Sequence, residues 1–219
     1  MYVRKIKFLW IMMWITKNLV KLGSFFIYKK IKKSVVTMNY VEPIRDSDKI
    51  RELANYLRNY SERNYIMFLI GVNSGLRISD ILRLRVRDVK GKDYISLREK
   101  KTKKQRIFPI TPMLKKELKK YYEEKHEDEF LIKSQKGYNN AISRVRAYKI
   151  LSEAGKVLGL YNLGTHTLRK TFGYQFYTQY KDVVTLQKIF NHSSPAITLR
   201  YIGVEQNHIN NMIKGFKIY

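Results

Sequence analysis

The feature that most constrains this chain is its excess of positive charge. Its 219 residues include 44 Lys and Arg against 18 Asp and Glu, which gives a formal net charge of +26 at pH 7. Such an imbalance destabilises a compact state through self-repulsion, and the usual reason to carry it is a polyanionic partner. Nucleic acid is therefore the first candidate partner, and an anionic membrane surface is the second.

Part of the charge lies in an N-terminal extension, residues 1–37, which holds nine basic residues and no acidic one. Its apolar run, residues 8–15, follows a basic start but is far shorter than the roughly 20 residues that span a bilayer. No small-residue cleavage site of a signal peptide follows it. Three interpretations remain open: a basic amphipathic arm, a surface anchor, or a stretch translated from a start upstream of Met38. We favour the upstream start or a poorly ordered arm, because Met38 directly precedes a well-patterned domain.

Residues 38–219 carry the remaining net charge of +17 and have the pattern of one mainly α domain with a small antiparallel β-sheet (α+β). Asp46 or Ser47 is a predicted N-cap for a first helix, and the uniformly apolar residues 65–72 predict a buried helix that ends at residues 73–75. Further helices are predicted at residues 78–84, 112–124, 139–158, 167–180, 183–190, 195–202 and 206–214.

The small sheet is predicted from the alternation of apolar and polar residues. Apolar and polar residues alternate over residues 93–99, a basic turn with four lysines follows at residues 100–104, and residues 106–110 return as a second strand. Residues 127–132 are expected to add one more short strand. The sheet is therefore expected to be a hairpin with a strongly basic tip.

Several kinds of chemistry are excluded by what the sequence lacks. Without cysteine, the chain cannot be a disulfide scaffold, a zinc finger or a thiol enzyme. It contains no phosphate-binding P-loop, no nucleophile elbow and no H-E-x-x-H zinc helix. No carboxylate cluster has metal-ligand spacing. We therefore expect neither a metal nor a cofactor.

Six residues suited to contacting or attacking a phosphate follow one another along the chain. Taken alone, each has an ordinary explanation as a solvated charge, a helix cap or a core side chain. In order they are Arg77, Lys101, His166, Arg169, His192 and Tyr201.

This order resembles the tyrosine recombinase (phage integrase) family at four places. Residues 74–80 read SGLRISD, residues 101–110 read KTKKQRIFPI, residues 166–172 read HTLRKTF, and the sequence FNHSS at residues 190–194 is followed by TLRY at residues 198–201. The resemblance covers about residues 40–215. It implies a mainly helical catalytic domain with a small antiparallel sheet.

The resemblance implies a site-specific DNA recombinase or integrase that cleaves and rejoins double-stranded DNA without metal or ATP. Tyr201 would attack phosphorus and form a 3′-phosphotyrosyl link. Arg77 and Arg169 would each donate bidentate hydrogen bonds to the nonbridging oxygens, where charge accumulates in the transition state. Two guanidinium groups there would take the place of a metal ion.

The remaining roles also follow from the resemblance. His166 would be a general base or a hydrogen-bond partner near the tyrosine, and His192 would donate to a nonbridging oxygen. Lys101 would be the general acid that protonates the departing 5′ oxygen. Asp80 lies one helical turn after Arg77 and would orient it, although a favourable charge at a helix N-terminus explains Asp80 equally well.

The chain departs from the family pattern in two ways. Members usually carry an N-terminal helical core-binding domain, and residues 1–37 are too few for one, so we expect a catalytic domain alone and doubt autonomous high-affinity binding. Asn191 stands where glycine is commoner, a change that a helix C-terminus tolerates.

The segment after Tyr201 would dock on a neighbouring protomer in the family. This implies a homo-oligomer, a tetramer on DNA, in a cytoplasmic, nucleoid-associated protein with no membrane partner. Three alternatives compete with the recombinase: supercoil relaxation of the type IB topoisomerase kind, a noncatalytic DNA-binding regulator on the same fold, and a membrane-surface protein directed by residues 1–37.

Overall fold

The structure, a computed structural model, describes residues 41–205 and 213–216. The predictions for residues 1–37 and for most of the helix at residues 206–214 lie outside these residues. The described part is mostly helical with one two-stranded antiparallel sheet, which confirms the predicted fold class. Along the chain the elements are α1 (Ser47–Tyr60), α2 (Glu62–Ser74), α3 (Ile78–Ile81), β1 (Tyr94–Arg98), β2 (Gln105–Pro109), α4 (Pro112–Tyr122), α5 (Arg144–Val157), α6 (Thr165–Tyr180), α7 (Val183–Phe190) and α8 (Pro195–Ile202).

Helix α2 is the centre of the main hydrophobic core. Every residue from 64 to 71 is buried, as its uniformly apolar sequence predicts, and the helix packs against α1, α4 and α6. Helix α1 begins where the sequence indicates, because the carboxylate of Asp46 accepts a hydrogen bond from the backbone N–H of Asp48 (2.7 Å) and caps the first turn. Within the described residues, no helix is both long enough and apolar enough to cross a membrane.

The hairpin pairs β1 with β2 in the register Tyr94↔Pro109 to Arg98↔Gln105. Ile95 and Phe108 face each other on its buried side. The further strand predicted at residues 127–132 is wrong, since Phe130 forms only an isolated bridge with Arg85. The segment that pairs with it, from Arg85 onward, forms a 3₁₀ helix at Val86–Asp88, so the strand-like pairing ends after a few backbone hydrogen bonds.

Helix α5 begins five residues later than the sequence pattern suggested. The side chain of Asn139 is used in a loop instead: its Oδ1 accepts from the N–H of Phe130 (3.1 Å) and its Nδ2 donates to the carbonyl of Asp128 (3.0 Å). Ser143 then caps the helix through the N–H of Arg146 (3.1 Å). Short polar side chains that bond the backbone locally compete with helix formation, which explains the shift.

A second, smaller core lies where α7 and α8 pack on α6. Its buried members are Leu186, Phe190 and Ile202, and Tyr201 packs against them. The three helices approach closely because residue 173 in α6 is glycine: a Cβ there would lie 2.7 Å from atoms of both Ile202 and Phe190. This cluster fixes the position of Tyr201 relative to α6.

The turn after α2 provides a test of how tightly the two cores are joined. Gly75 has φ +63° and a Cβ on it would lie 2.4 Å from Cδ1 of Phe172, whereas Gly91 has φ +66° with open space around it. We expect Gly91→Ala to lower the free energy of unfolding by about 1 kcal/mol through backbone strain alone, and Gly75→Ala by about 2–4 kcal/mol because overpacking is added. Urea denaturation of both variants measures this, and equal losses would contradict the predicted contribution of Phe172.

Candidate active site

Arg77 lies at the start of α3, directly after the left-handed Gly75 turn that ends α2. It is half-buried, and its Nη1 lies 2.7 Å from Oε1 of Glu99, at the end of β1. The N–H of Arg77 does not point along this contact, so the two groups form an ion pair rather than an aligned hydrogen bond. The guanidinium is therefore held by charge.

Arg169, on α6, is the most deeply buried cation of this region, with 3% of its surface exposed. It donates hydrogen bonds to the carbonyl of Gly75 and to the carbonyl of Phe190 (3.1 Å), and its guanidinium lies over the ring of Phe190. Burial lowers the pKa of Arg169 to about 10, which still leaves it charged at pH 7. Arg169 thus joins the end of α2 to the end of α7.

The hairpin tip that carries Lys101 is anchored on both sides of that residue. The N–H of Lys100 donates to Oδ1 of Asp80 (2.8 Å), and the hydroxyl of Thr102 donates to Oε2 of Glu99. Lys101 itself is exposed. The tip is therefore attached to α3, the helix that begins next to Arg77.

Strand β2 also supports the loop that carries His192. Arg106 donates to the carbonyls of Lys188 (2.9 Å) and Ile189 in the last turn of α7. Lys104 Nζ donates to Oδ1 of Asn191 (3.0 Å), which caps α7 with φ +54°. Asn191 therefore provides the left-handed conformation that glycine usually supplies, together with a side-chain contact that glycine lacks.

Tyr201 contacts His192 through its ring. The two ring centroids are 5.1 Å apart at an interplanar angle of 70°, and the ring of Phe190 packs edge-on against Tyr201 at 5.5 Å. Nδ1 of His192 lies 3.0 Å from the hydroxyl of Thr198, one turn before Tyr201 on α8. The histidine and the tyrosine are thus held by the same short helix.

The phenol of Tyr201 is protonated at neutral pH. Burial raises its pKa, and this effect outweighs the opposing effects of the nearby Arg169 and Arg77 charges. Both histidines are shifted in the other direction. The pKa of His166 is lowered first by partial desolvation of its ring and then by nearby cations, including Arg169 and Lys101. The pKa of His192 is lowered by burial and then by the charges of Arg169 and Arg77. Both imidazoles are mainly neutral at pH 7.

The structure therefore brings the six sequence-predicted residues into one electrostatically coupled group. Arg169 interacts with Arg77, Tyr201 and both histidines, while Lys101 acts on His166. Across residues 41–205 and 213–216, no three His, Cys, Asp or Glu side chains converge as metal ligands.

Known proteins resemble this chain in sequence and in fold. Residues 45–208 match the model of the phage integrase family. The chain belongs to this family. Among the relatives of this integrase, the "Probable integrase/recombinase YoeC" of Bacillus subtilis is 49% identical over 179 residues, covering 82% of this chain and 98% of the relative. "Tyrosine recombinase XerA" of Pyrococcus horikoshii is 23% identical over 174 residues, covering 78% of this chain but only 60% of the relative.

Solved structures of a recombinase and of an integrase share the fold. The crystal structure of XerA recombinase superposes with a TM-score of 0.63 at 20% identity, covering 81% of this chain and 65% of that one. A lambda integrase dimer bound to a COC′ core site gives 0.59 at 18% identity, with coverages of 74% and 48%. This integrase therefore spans part of the length of those proteins.

Two functional candidates in this integrase were missed in the sequence. Glu99, rather than Asp80, forms the ion pair with Arg77, and Asp80 instead binds the backbone of the hairpin tip. Arg106 supports the His192 loop. The signal for Glu99 was present: the alternation that buries Ile95 continues to residue 99 and places a carboxylate on the inner face.

Proposed function

We propose that this integrase is a site-specific DNA recombinase that cleaves and rejoins double-stranded DNA through a 3′-phosphotyrosyl intermediate on Tyr201, with neither metal nor ATP. The observation that carries the proposal is the position of the phenol, which is half-buried in the second core and lies within the electrostatic influence of two arginines, Arg169 and Arg77. A phosphate held by these two cations would lie next to the nucleophile. The COC′ core site to which the lambda integrase dimer is bound supports double-stranded DNA as the partner.

In the proposed step, the phenol oxygen of Tyr201 attacks phosphorus and forms the Tyr–O–P bond. The bond from phosphorus to the 5′ oxygen breaks, and its electron pair leaves with that oxygen. His166, neutral at pH 7, accepts the phenol proton, and the ammonium of Lys101 donates a proton to the 5′ oxygen. Each such proton transfer contributes roughly 10²–10⁴ in rate. Rejoining runs the same exchange in reverse with a 5′ hydroxyl as the nucleophile.

The two arginines supply electrostatic stabilisation in this step. Charge increases on the nonbridging oxygens as the tyrosine attacks, and planar guanidinium groups can donate two parallel hydrogen bonds to them. His192 completes the set when the hydroxyl of Thr198 turns from the carbonyl of Ser194 (3.3 Å), to which it donates in the structure, and donates to Nδ1 of His192 instead. A neutral imidazole then carries its proton on Nε2 and can donate to phosphate. Assembly as a tetramer through the segment after Tyr201 belongs to the same proposal.

Covalent capture on DNA tests this function without knowledge of the target. The protein is incubated in EDTA with a library of randomised duplexes, each nicked so that a short 5′-hydroxyl fragment diffuses away after cleavage and rejoining is prevented. We expect an adduct that survives denaturation in SDS, is enriched for one DNA sequence, and maps by mass spectrometry of tryptic peptides to Tyr201, one of 17 tyrosines.

Other outcomes of this capture would contradict the proposal. DNA retention without any adduct would favour the noncatalytic regulator. An adduct on another tyrosine would refute the assignment of the nucleophile, and an adduct that EDTA prevents would refute the metal-free step.

A further inference from the structure

Glu99 brings a negative charge into a site that is proposed to bind phosphate. Only 1% of its surface is exposed, although it is flanked in sequence by Arg98 and by lysines. Its pKa is lowered: burial acts to raise it, but the hydrogen bond from Thr102 and the charges of Arg77 and Arg169 together outweigh that effect. The carboxylate is therefore ionised, and it would repel the phosphate that the arginines attract.

The contacts of Glu99 indicate why such a charge is present. One carboxylate oxygen lies 2.7 Å from Arg77, and the other accepts the hydroxyl of Thr102. The backbone of Glu99 closes the turn as well, since its carbonyl accepts from the N–H of Lys103 (2.9 Å) and its N–H donates to the carbonyl of Lys104 (3.0 Å). One side chain therefore connects a phosphate-binding arginine to the residue that follows Lys101.

We propose that Glu99 is a positioning residue that fixes Lys101 against the phosphate held by Arg77, an inference that rests on the function proposed above. The hydrogen bond from Thr102 to Glu99 holds the chain directly after Lys101, and the hydrogen bond from Lys100 to Asp80 holds the chain directly before it. A lysine on an exposed hairpin tip has a long flexible side chain, so its proton reaches the 5′ oxygen efficiently only when the tip itself is held.

The proposal predicts a change whose sign differs from that of a simple charge effect. If Glu99 acted only through its charge, Glu99→Gln would remove repulsion and strengthen phosphate binding or speed cleavage. If it positions Lys101, Glu99→Gln slows cleavage by about 10²-fold, the cost of an angstrom-scale misplacement. Thr102→Val should slow cleavage in the same direction without changing any charge, and Thr102→Ser should retain activity.

A substrate with sulfur in place of the 5′ bridging oxygen distinguishes these explanations. A thiolate leaves without protonation, so this substrate needs no general acid. Using the DNA site selected in the capture experiment, single-turnover cleavage of matched oxygen and sulfur substrates is compared. We expect Glu99→Gln and Thr102→Val to cleave the oxygen substrate slowly but to cleave the sulfur substrate within about threefold of the rate of the unmodified protein. Lys101→Ala should show the same pattern. Arg77→Gln should be slow on both.

The outcomes separate this inference from the proposed function. The positioning role would be overturned if Glu99→Gln and Thr102→Val cleaved the oxygen substrate at the normal rate. It would also be overturned if both variants were equally slow on the two substrates. Lys101→Ala without rescue by sulfur would overturn it as well, because no general acid would then need positioning. Failure of the unmodified protein to form an adduct with either substrate would instead refute the recombinase function. Thr102→Val keeps the test decisive where Glu99→Gln does not fold.

Discussion

Replacing Tyr201 with phenylalanine is expected to abolish covalent attachment to DNA while leaving DNA binding intact. The substitution removes only the attacking oxygen and keeps the ring that packs in the second core. Removal of a covalent nucleophile from other enzymes costs on the order of 10⁶ in rate. The yield of SDS-resistant adduct should therefore fall below detection, whereas the affinity for the selected DNA site, measured by fluorescence anisotropy, should change by less than about threefold.

The fold of this variant should be preserved, because the ring of Tyr201 makes the packing contacts. Its contacts with Phe190 and His192 involve ring faces and edges, not the hydroxyl. Loss of the polar hydroxyl near the charge of Arg169 should cost no more than about 1 kcal/mol in the free energy of unfolding. Tyr177→Phe is the matched control, since Tyr177 packs in the same cluster, and it should form adduct at the normal rate. Adduct formation by Tyr201→Phe would refute the nucleophile.

The sequence predicts those parts of the fold that depend on local chemistry. Period-two alternation located the hairpin to within a residue, and the capping preference of Asp46 located the start of α1. Helices α7 and α8 have the predicted bounds because each begins with a side-chain cap, from Asp182 and Ser194 respectively, and ends in a left-handed residue. These signals lie within a few residues of what they determine.

The contacts that hold the site together were not predictable in the same way. Glu99 and Arg77 are 22 positions apart, and Arg106 reaches the end of α7 more than 80 positions away. Asp80 illustrates the limit. Its spacing from Arg77 suggested that it orients that arginine, but its carboxylate accepts from the hairpin backbone, since helix α3 is only four residues long and ends against that tip. The order of the six site residues indicated the chemistry, whereas the carboxylates that position them required the tertiary structure.

Replacing Arg77 with glutamine should slow cleavage by on the order of 10²–10³, the usual cost of removing one donor to a developing oxyanion. The reason is that Arg77 is partly exposed, at 17% of its side chain, and is held by an unaligned ion pair, so its donors can turn to a phosphate. Single-turnover adduct formation on the selected site measures the rate. Arg51→Gln removes an equal charge from the exposed face of α1 and should change the rate by less than about twofold.

A structural explanation of the same loss can be excluded by a second substitution. Arg77→Gln alone leaves the buried carboxylate of Glu99 without its ion-pair partner, which should cost about 1–3 kcal/mol of stability. Combining it with Glu99→Gln removes the buried charge and should recover most of that loss in urea denaturation. Cleavage of the 5′-sulfur substrate, on which Glu99→Gln alone is expected to be nearly normal, should stay slow in the double variant, because the phosphate still lacks a cation where Arg77 stood. Recovery of cleavage together with stability would show that Arg77 acts by maintaining the fold, and a phosphate-binding role would then be wrong.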